Sequence, residues 1–356
     1  MKPLRFAFQT YNLRGLGHLM RGLNIARELR RLAPAADILF YTRSRSAELL
    51  CGSEFHCVVE PDPHGRLVHW AEVLRSFAPH VVVYDTLLPK ELPLLAEAPA
   101  ARSIYIMRQC KADKQQEIFA SPVLAQIERI LIPHTPAEFA YPLPVALQPK
   151  TFFVGPIVRP LRPETQAELR HKYGLREEHF VLISTVGGGG FTEQAAAFFA
   201  TVFAVHQGLA AHLPQLQHVV IQGPNFRSAT PAVASAPGLR VIAHEPELSN
   251  LFALANVVIA EGGYNTVAEL RLAQTPAIFL PSPRKYDDQE ERVRALEQQG
   301  VAWVFREHRA EAIVQTLIEF AGSPQWARDI RARYARARLE PGNRVAAERI
   351  LEVAAA

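Results

Sequence analysis

Short apolar runs alternate with longer amphipathic stretches along most of the chain. Strand-like runs occupy residues 6–9, 37–41, 81–84, 103–106, 129–132, 181–185, 218–222, 239–242, 257–260, 277–280 and 301–305. Helical periodicity covers 18–32, 67–77, 193–207, 266–272, 289–299, 326–339 and 344–353. Strands that alternate with helices in this order predict parallel βαβ units with right-handed crossovers.

The alternation stops between residues 133 and 163, where eight prolines block both helix and central strand, around one short strand at 151–154. We interpret this segment as a linker. A chain of 356 residues is also too long for one ordinary core. The sequence therefore predicts an α/β protein with two doubly wound, Rossmann-like domains, at residues 1–155 and 156–340.

Composition restricts the ligand and the compartment. Lys plus Arg number 39 against 35 for Asp plus Glu, and the net charge of +4 fits an anionic small ligand or an acidic membrane surface but is too small to indicate nucleic acid as a partner. Three cysteines without metal spacing, no signal peptide and no apolar run of 18 residues predict a cytoplasmic protein. An apolar and basic stretch at residues 66–75 fits either peripheral membrane contact or a buried helix face.

A first glycine loop follows the first strand. Gly15 and Gly17 leave room for a ligand beside the backbone, and His18 begins the next helix. The helix dipole lowers the pKa of a histidine at this position, so His18 is a candidate general base, or else a residue that caps the helix. Asp85 ends another strand and could orient His18 or cap a turn, and Arg21 is a candidate phosphate partner or a surface charge.

A second glycine loop follows the first strand of the second domain. Gly187, Gly188, Gly189 and Gly190 stand in a row. Such a run is costly in chain entropy, which favours a loop whose amides meet a diphosphate or the acceptor over a flexible connector. Neither glycine loop matches the dinucleotide fingerprint or the Walker loop, so a dehydrogenase and a P-loop enzyme are disfavoured.

A third loop opens a helix after the strand at residues 257–260. Gly262 and Gly263 leave space at the helix N-terminus, where Asn265 or Thr266 caps the helix or contacts a phosphate. Glu269, one turn later, could accept two ribose hydroxyls, although a solvated carboxylate is common at such positions.

Polar residues near two further strand ends complete the candidates. Asp288 and Gln289 are placed to contact sugar hydroxyls or to cap a helix, and His244 lies where a nucleobase could be held. We find no Asp-x-Asp pair for a metal, and the nearest arrangement, Asp62-Pro63-His64, is typical of a turn.

With these residues in place, the chain resembles the GT-B glycosyltransferases, in particular those of family 28. The string Gly15-Leu16-Gly17-His18, the run 187–190, the segment 262–269 and the pair Asp288-Gln289 carry the resemblance. It implies two domains that face a central cleft, with a last helix at 341–356 that completes the first domain. It also implies ribose binding by Glu269, phosphate contact by Thr266, sugar contact by Asp288 and Gln289, and UDP as the nucleotide.

The sequence therefore predicts an inverting, metal-independent glycosyltransferase. The nucleotide sugar is its co-substrate, with no further cofactor, and the acceptor is a small molecule or is linked to a lipid at the inner face of the membrane. A nucleotide-sugar hydrolase or epimerase is an alternative, because the Gly-Leu-Gly-His string also resembles UDP-sugar hydrolases. A non-catalytic protein that binds sugar nucleotides is a second alternative.

Overall fold

The structure is a computed structural model that describes residues 3–11, 14–60, 66–85, 101–228, 236–336 and 339–355. The chain forms two compact units. The first comprises Met1–Val158, Lys285–Asp287 and Glu340–Ala356, and the second comprises Arg159–Arg284 and Asp288–Leu339. The predicted domain boundary falls three residues before this division, and the excursion at Lys285–Asp287 has no counterpart in the sequence analysis.

The described strands and helices follow one another in βα order. The strands are β1 Arg5–Thr10, β2 Asp37–Thr42, β3 His56–Val59, β4 Val81–Asp85, β5 Arg102–Ile106, β6 Arg129–Ile132, β7 Thr151–Phe153, β8 Phe180–Thr185, β9 Leu216–Ile221, β10 Leu239–Ile242, β11 Val257–Ala260, β12 Ala277–Phe279 and β13 Ala302–Val304. The helices are α1 Gly17–Leu32, α2 Ala47–Cys51, α3 Arg66–Phe77, α4 Ala112–Phe119, α5 Val123–Gln126, α6 Pro163–Tyr173, α7 Thr192–Ala210, α8 Leu248–Phe252, α9 Tyr264–Ala273, α10 Gln289–Gln298, α11 Ala310–Ala321, α12 Pro324–Arg336 and α13 Asn343–Ala355.

The first unit is built on a seven-stranded sheet in the order β3-β2-β1-β4-β5-β6-β7, and its strand pairs are parallel. Alternation along β1 sends Phe6 and Phe8 into the core under α1, and Ala7 into the core on the opposite face. The last helix, α13, belongs to this unit and packs on α1 through Ala346, Ile350 and their neighbours. The order reverses at β1 and β4, which is where such sheets bind ligands.

The second unit repeats the architecture with a six-stranded parallel sheet in the order β10-β9-β8-β11-β12-β13. One large core surrounds this sheet, and the aromatic side chains of Phe198 and Phe252 are fully buried in it. The order reverses at β8 and β11. The glycine run follows β8 and the segment 261–263 follows β11, so both lie at the reversal point.

The structure corrects one interpretation of the sequence and favours one of two alternatives in α3. Residues 133–158 are packed into the first unit, with Leu147, Val154 and Ile157 buried, and they include a 3-10 helix at Val145–Lys150, so most of the proline-rich segment is not a linker. In α3, Trp70 and Leu74 are buried in the core. For these two residues the structure therefore supports a buried helix face and not membrane contact. Asp62-Pro63-His64 lies outside the described residues.

Among the described residues, no helix has the length and apolar character needed for a membrane span. The same part of the chain contains no group of three His, Cys, Asp or Glu side chains arranged for a metal ion.

Candidate active site

Three buried side chains meet where the first sheet reverses, and we call them the base cluster: His18, Arg21 and Asp85. Asp85 ends β4 and is fully buried, and its Oδ1 lies 2.5 Å from His18 Nδ1. Arg21, one turn after His18 on α1, donates from Nε to Asp85 Oδ2 at 2.8 Å and from Nη2 to Oδ1 at 2.6 Å. The structure thus brings His18 and Asp85 together and binds Arg21 to the carboxylate, away from the surface.

The contacts of the base cluster determine the tautomer of His18. A carboxylate can only accept at 2.5 Å, so Nδ1 must carry the proton and donate it to Asp85. The guanidinium, 3.1 Å from Nδ1, is also only a donor and cannot compete for that proton. The second ring nitrogen, Nε2, therefore keeps its lone pair and can accept a proton.

The electrostatics of the base cluster favour a neutral imidazole beside a charged carboxylate. Burial lowers the pKa of His18, and it outweighs the opposing effect of Asp85. Burial alone would raise the pKa of Asp85, but the charge of Arg21 and the hydrogen bonds from His18 and Arg21 overcome this effect, and the net pKa is lowered. The sequence attributed a low pKa of His18 to the helix dipole, whereas burial is the main cause in the structure. Gly15 lies in the loop before the cluster, and Gly17 is the first residue of α1.

In the second unit, the glycine run lies against the N-terminus of α9. Gly187 has φ +73°, its N–H donates to Thr185 Oγ1 at 3.1 Å, and a Cβ built on it would lie 4.0 Å from Thr266 Oγ1. Gly263 is the N-cap of α9, and a Cβ there would lie 3.7 Å from the same hydroxyl. The N-terminus of α9, the Thr266 hydroxyl and the open space at two glycines form a cradle suited to an anion.

Other glycines of these loops are explained by packing. A Cβ at Gly189 would lie 2.4 Å from the carbonyl oxygen of Gln222, and a Cβ at Gly262 would lie 2.5 Å from Val293 of α10. The carbonyl of Gly188 accepts from Asn225 N at 3.0 Å. Gly189 and Gly262 therefore allow close approach of protein to protein. Gly190 follows in the same loop, directly before Phe191, the N-cap of α7.

Glu269 lies on α9 one turn beyond Thr266 and is partly exposed. Burial raises its pKa to about 8, and the charge of Arg159 opposes this rise only in part. No hydrogen bond ties its carboxyl group to the residues that the structure describes, so the group is available to a ligand. Asn265 occupies the second position of the same helix.

Asp288 and Gln289 have well-defined contacts at the start of α10. The carboxylate of Asp288 caps the helix by accepting from Glu291 N at 3.0 Å, as one of the two sequence interpretations expected. Gln289 is buried, and its Oε1 accepts from Ser282 N at 3.1 Å. His244, after β10, is half-buried, and burial lowers its pKa.

Four residues connect these loops through contacts that the sequence analysis did not predict. Glu261 accepts from Ser282 Oγ and from Arg284 Nη2, and the Arg284 guanidinium lies over the ring of Phe191. Glu261 follows β11, and the segment 281–284 follows β12, its neighbour in the sheet. Two opposite charges that follow neighbouring parallel strands are the sequence feature from which this ion pair could have been predicted.

Comparisons with known proteins agree with this geometry. Residues 183–333 match the glycosyltransferase family 28 C-terminal domain. A curated UDP-N-acetylglucosamine--N-acetylmuramyl-(pentapeptide) pyrophosphoryl-undecaprenol N-acetylglucosamine transferase from Symbiobacterium thermophilum is 24% identical over 82% of this chain and 80% of its own length.

Solved structures extend the likeness to nearly the whole chain. MurG of Acinetobacter baumannii superimposes with a TM-score of 0.62 at 14% identity and covers 98% of this chain and 100% of its own. The spinosyn rhamnosyltransferase SpnG, in complex with thymidine diphosphate, superimposes with a TM-score of 0.64 at 16% identity, with coverage of 98% and 100%.

The two parallel sheets and their strand-end loops define a protein of the GT-B class, as predicted. Residues 183–333 match the family 28 C-terminal domain, and the protein is a glycosyltransferase. The prediction of an enzyme of this type is confirmed, and the alternative of a non-catalytic binding protein is set aside.

Proposed function

We propose that the protein is an inverting, metal-independent glycosyltransferase that uses a nucleotide-diphosphate sugar, with UDP as the nucleotide. The observation that carries this proposal is the 2.5 Å contact between His18 Nδ1 and Asp85, because it leaves Nε2 of a neutral imidazole ready to act as a base. In the proposed reaction, the acceptor hydroxyl gives its proton to Nε2, and its oxygen attacks the anomeric carbon. The bond from that carbon to the diphosphate oxygen breaks, and the diphosphate leaves with the electron pair.

The donor would be held by the second unit. The N–H groups at the start of α9, the hydroxyl of Thr266 and the backbone beside Gly187 would contact the diphosphate. These dipoles offset the growing charge of the leaving group, which is the role a divalent cation has in metal-dependent transferases. Glu269 would accept hydrogen bonds from the ribose diol, since its carboxyl group is open to a ligand.

The family match and the names of the relatives support this choice of donor. The curated relative is named for UDP-N-acetylglucosamine as donor and for an undecaprenol-linked acceptor, and SpnG is described with thymidine diphosphate. We propose a UDP-sugar first. An acceptor that is a small molecule or a lipid-linked sugar follows by the same analogy, as does a location at the inner face of the membrane. Nucleic acid is not expected as a partner.

The test is turnover of UDP-N-acetylglucosamine with a panel of hydroxyl acceptors. His18→Gln removes the base but not the nucleotide contacts, so kcat should fall about 10²–10⁴-fold while affinity for UDP stays unchanged. His56→Gln, at an exposed histidine of the same unit, is the matched control and should leave kcat intact. Full turnover by His18→Gln would refute the assignment of the base.

The same assay addresses the hydrolase alternative and the role of metals. Free sugar formed without acceptor, at a rate unchanged by added acceptor, would mean that water is the substrate. Activity in EDTA should equal activity in Mg²⁺ or Mn²⁺, because helix and loop dipoles are proposed to stabilise the leaving group. Loss of turnover in EDTA and its return with Mn²⁺ would contradict metal independence.

A further inference from the structure

A buried carboxylate, with a hydrogen bond to each of its oxygens, lies beside the proposed diphosphate cradle. Glu261 is 6% exposed; its Oε1 accepts from Ser282 Oγ at 2.8 Å, and its Oε2 accepts from Arg284 Nη2 at 2.6 Å. Glu261 directly precedes Gly262 and the N-cap Gly263. Its side chain therefore joins the loop after β11 to the loop after β12.

The partner of Glu261 continues the connection to the glycine run. The guanidinium carbon of Arg284 lies 3.9 Å from the centre of the Phe191 ring, a close cation–π stack. Phe191 follows Gly190 and is the N-cap of α7. One ion pair and one stack thus join three loops, which are residues 187–191, 261–263 and 281–284. We call this set the three-loop network.

The same network orients Gln289. A backbone N–H can only donate, so the contact from Ser282 N identifies the carbonyl oxygen of the Gln289 amide as its partner. The opposite group, Nε2, has no hydrogen-bond partner in the part of the chain that the structure describes. Gln289 is therefore held with two N–H donors available to oxygen atoms of a sugar.

The charges of the network indicate positioning rather than direct ligand binding. The Arg284 charge is neutralised by Glu261 within a site where both side chains are nearly buried, so little of it is left for a phosphate. A row of glycines has no side chains of its own to fix its shape. A loop of that kind binds a diphosphate well only when its surroundings hold it in the bound geometry.

We propose that Glu261 and Arg284 are positioning residues that preorganise the donor site, with Phe191 as the contact to the glycine run and Gln289 as the group presented to the donor sugar. This inference rests on the proposed function, because it assumes that the donor binds at these loops. A buried ion pair without net charge thus holds both the loop that contacts the diphosphate and the side chain that contacts the sugar.

The test is a double-mutant cycle measured on ligand affinity rather than on stability. UDP and UDP-N-acetylglucosamine are titrated calorimetrically into wild type, Glu261→Gln, Arg284→Met and the double variant, at a temperature where all remain folded. Each single change should weaken UDP-N-acetylglucosamine binding about tenfold or more, and the double change should weaken it by much less than the product of the two. Because Gln289 faces the sugar, the loss should be larger for the nucleotide sugar than for UDP.

Arg306→Met is the matched control, because Arg306 forms an exposed ion pair with Glu290 in the same unit. It should leave both affinities unchanged. Phe191→Leu keeps the ion pair and removes only the stack, so it reports on the network if a charged variant does not fold. In turnover assays of Glu261→Gln and Arg284→Met, KM for the donor should rise while kcat changes little.

The outcomes separate the two proposals. Absence of binding of both probes to wild type would refute the proposed donor site itself. Wild-type affinity in both single variants and in Phe191→Leu, or purely additive losses, would overturn the positioning role while leaving the proposed function intact. Non-additive losses with a larger effect on the sugar-bearing ligand would establish it.

Discussion

At the scale of single residues, the surroundings of each ionisable group decide its chemistry. Asp85 is fully buried yet has a lowered pKa because Arg21 and His18 lie against it, whereas burial raises the pKa of Glu269 to about 8. Two carboxylic acids in one chain therefore differ at neutral pH. One is a fixed anion that holds a base, and the other is largely protonated until a ligand arrives.

Asp85→Asn should reduce both stability and turnover, through different partners. The change leaves the Arg21 charge buried without compensation, which should cost about 3–5 kcal/mol of unfolding free energy. It also replaces the acceptor-only carboxylate by an amide that can present an N–H to Nδ1, so the His18 proton is no longer held on that nitrogen. Urea unfolding and kcat measure the two effects separately. Arg21→Met with Asp85→Asn should recover much of the stability but none of the activity, and recovery of activity would show that Asp85 does not act through His18.

Glu269 should release a proton when UDP binds. Hydrogen bonds from a ribose diol favour the ionised carboxylate, so binding lowers a pKa that starts at about 8. Calorimetry at pH 7 in buffers of different ionisation enthalpy should detect release of up to about one proton, falling to none above pH 9. Glu269→Gln should abolish the release, whereas Glu311→Gln, at an exposed site of the same unit, should not. Release that persists in Glu269→Gln would assign the proton to another group.

At the scale of elements, strands with continuous apolar runs were predictable, whereas β3 and α6 were missed. All five residues of β4 are buried, so its hydrophobic run predicts it directly. β3 was missed because it is a short strand that begins with the exposed His56. α6 was missed because its first residue, Pro163, was assigned to the proline-rich linker, although proline is favourable at the first position of a helix.

The candidate site shows the same division. The carboxyl ends of neighbouring parallel strands share one edge of the sheet, so the loops that follow them are predicted to lie close together. His18 and Asp85 were candidate site residues for this reason. The direction in which a charged side chain turns cannot be read from spacing. The buried ion pair between Glu261 and Arg284 was therefore not predicted, because a charged residue is expected at the surface unless its partner is known.

The two glycines with φ +73° should respond differently to alanine. Gly189→Ala drives a methyl group into the Gln222 carbonyl and should destabilise the second unit severely. Gly187→Ala meets only open space near Thr266, so it should cost about 1 kcal/mol of backbone strain while weakening UDP binding strongly. Gly174→Ala, at φ +63° with no atom within 4 Å, is the control for the same strain away from the cradle. Equal UDP affinity in the Gly187 and Gly174 variants would argue against a diphosphate at Gly187.

At the scale of the whole molecule, buried histidines should make the protein sensitive to acid. Burial lowers the pKa of His18, His206, His218 and His244. Their contribution to unfolding free energy is complete above the unfolded pKa near 6.5 and is lost as pH falls towards the folded values. Glu269 acts in the opposite sense, since its raised pKa contributes stability that is lost as pH rises towards 8. Its single contribution opposes those of four histidines.

His218→Gln isolates one of these contributions. His218 is buried and shares a hydrogen bond of 2.8 Å with Ser184. Its replacement should reduce the slope of unfolding free energy against pH below 6.5 by about 1.4 kcal/mol per pH unit. Urea unfolding of the second unit between pH 5 and 7 measures that slope. His212→Gln, at an exposed position, should leave it unchanged, and an unchanged slope in His218→Gln would mean that this histidine does not govern the acid response.

The first unit is assembled from both termini of the chain, because α13 packs on α1. During translation, α13 is synthesised only after the whole second unit up to Leu339, so the first unit begins first and is completed later than the second. A nascent chain that stops before α13 would expose the surface of α1 to chaperones and proteases. A truncation that removes α13 consequently acts on the unit that carries His18, the proposed base.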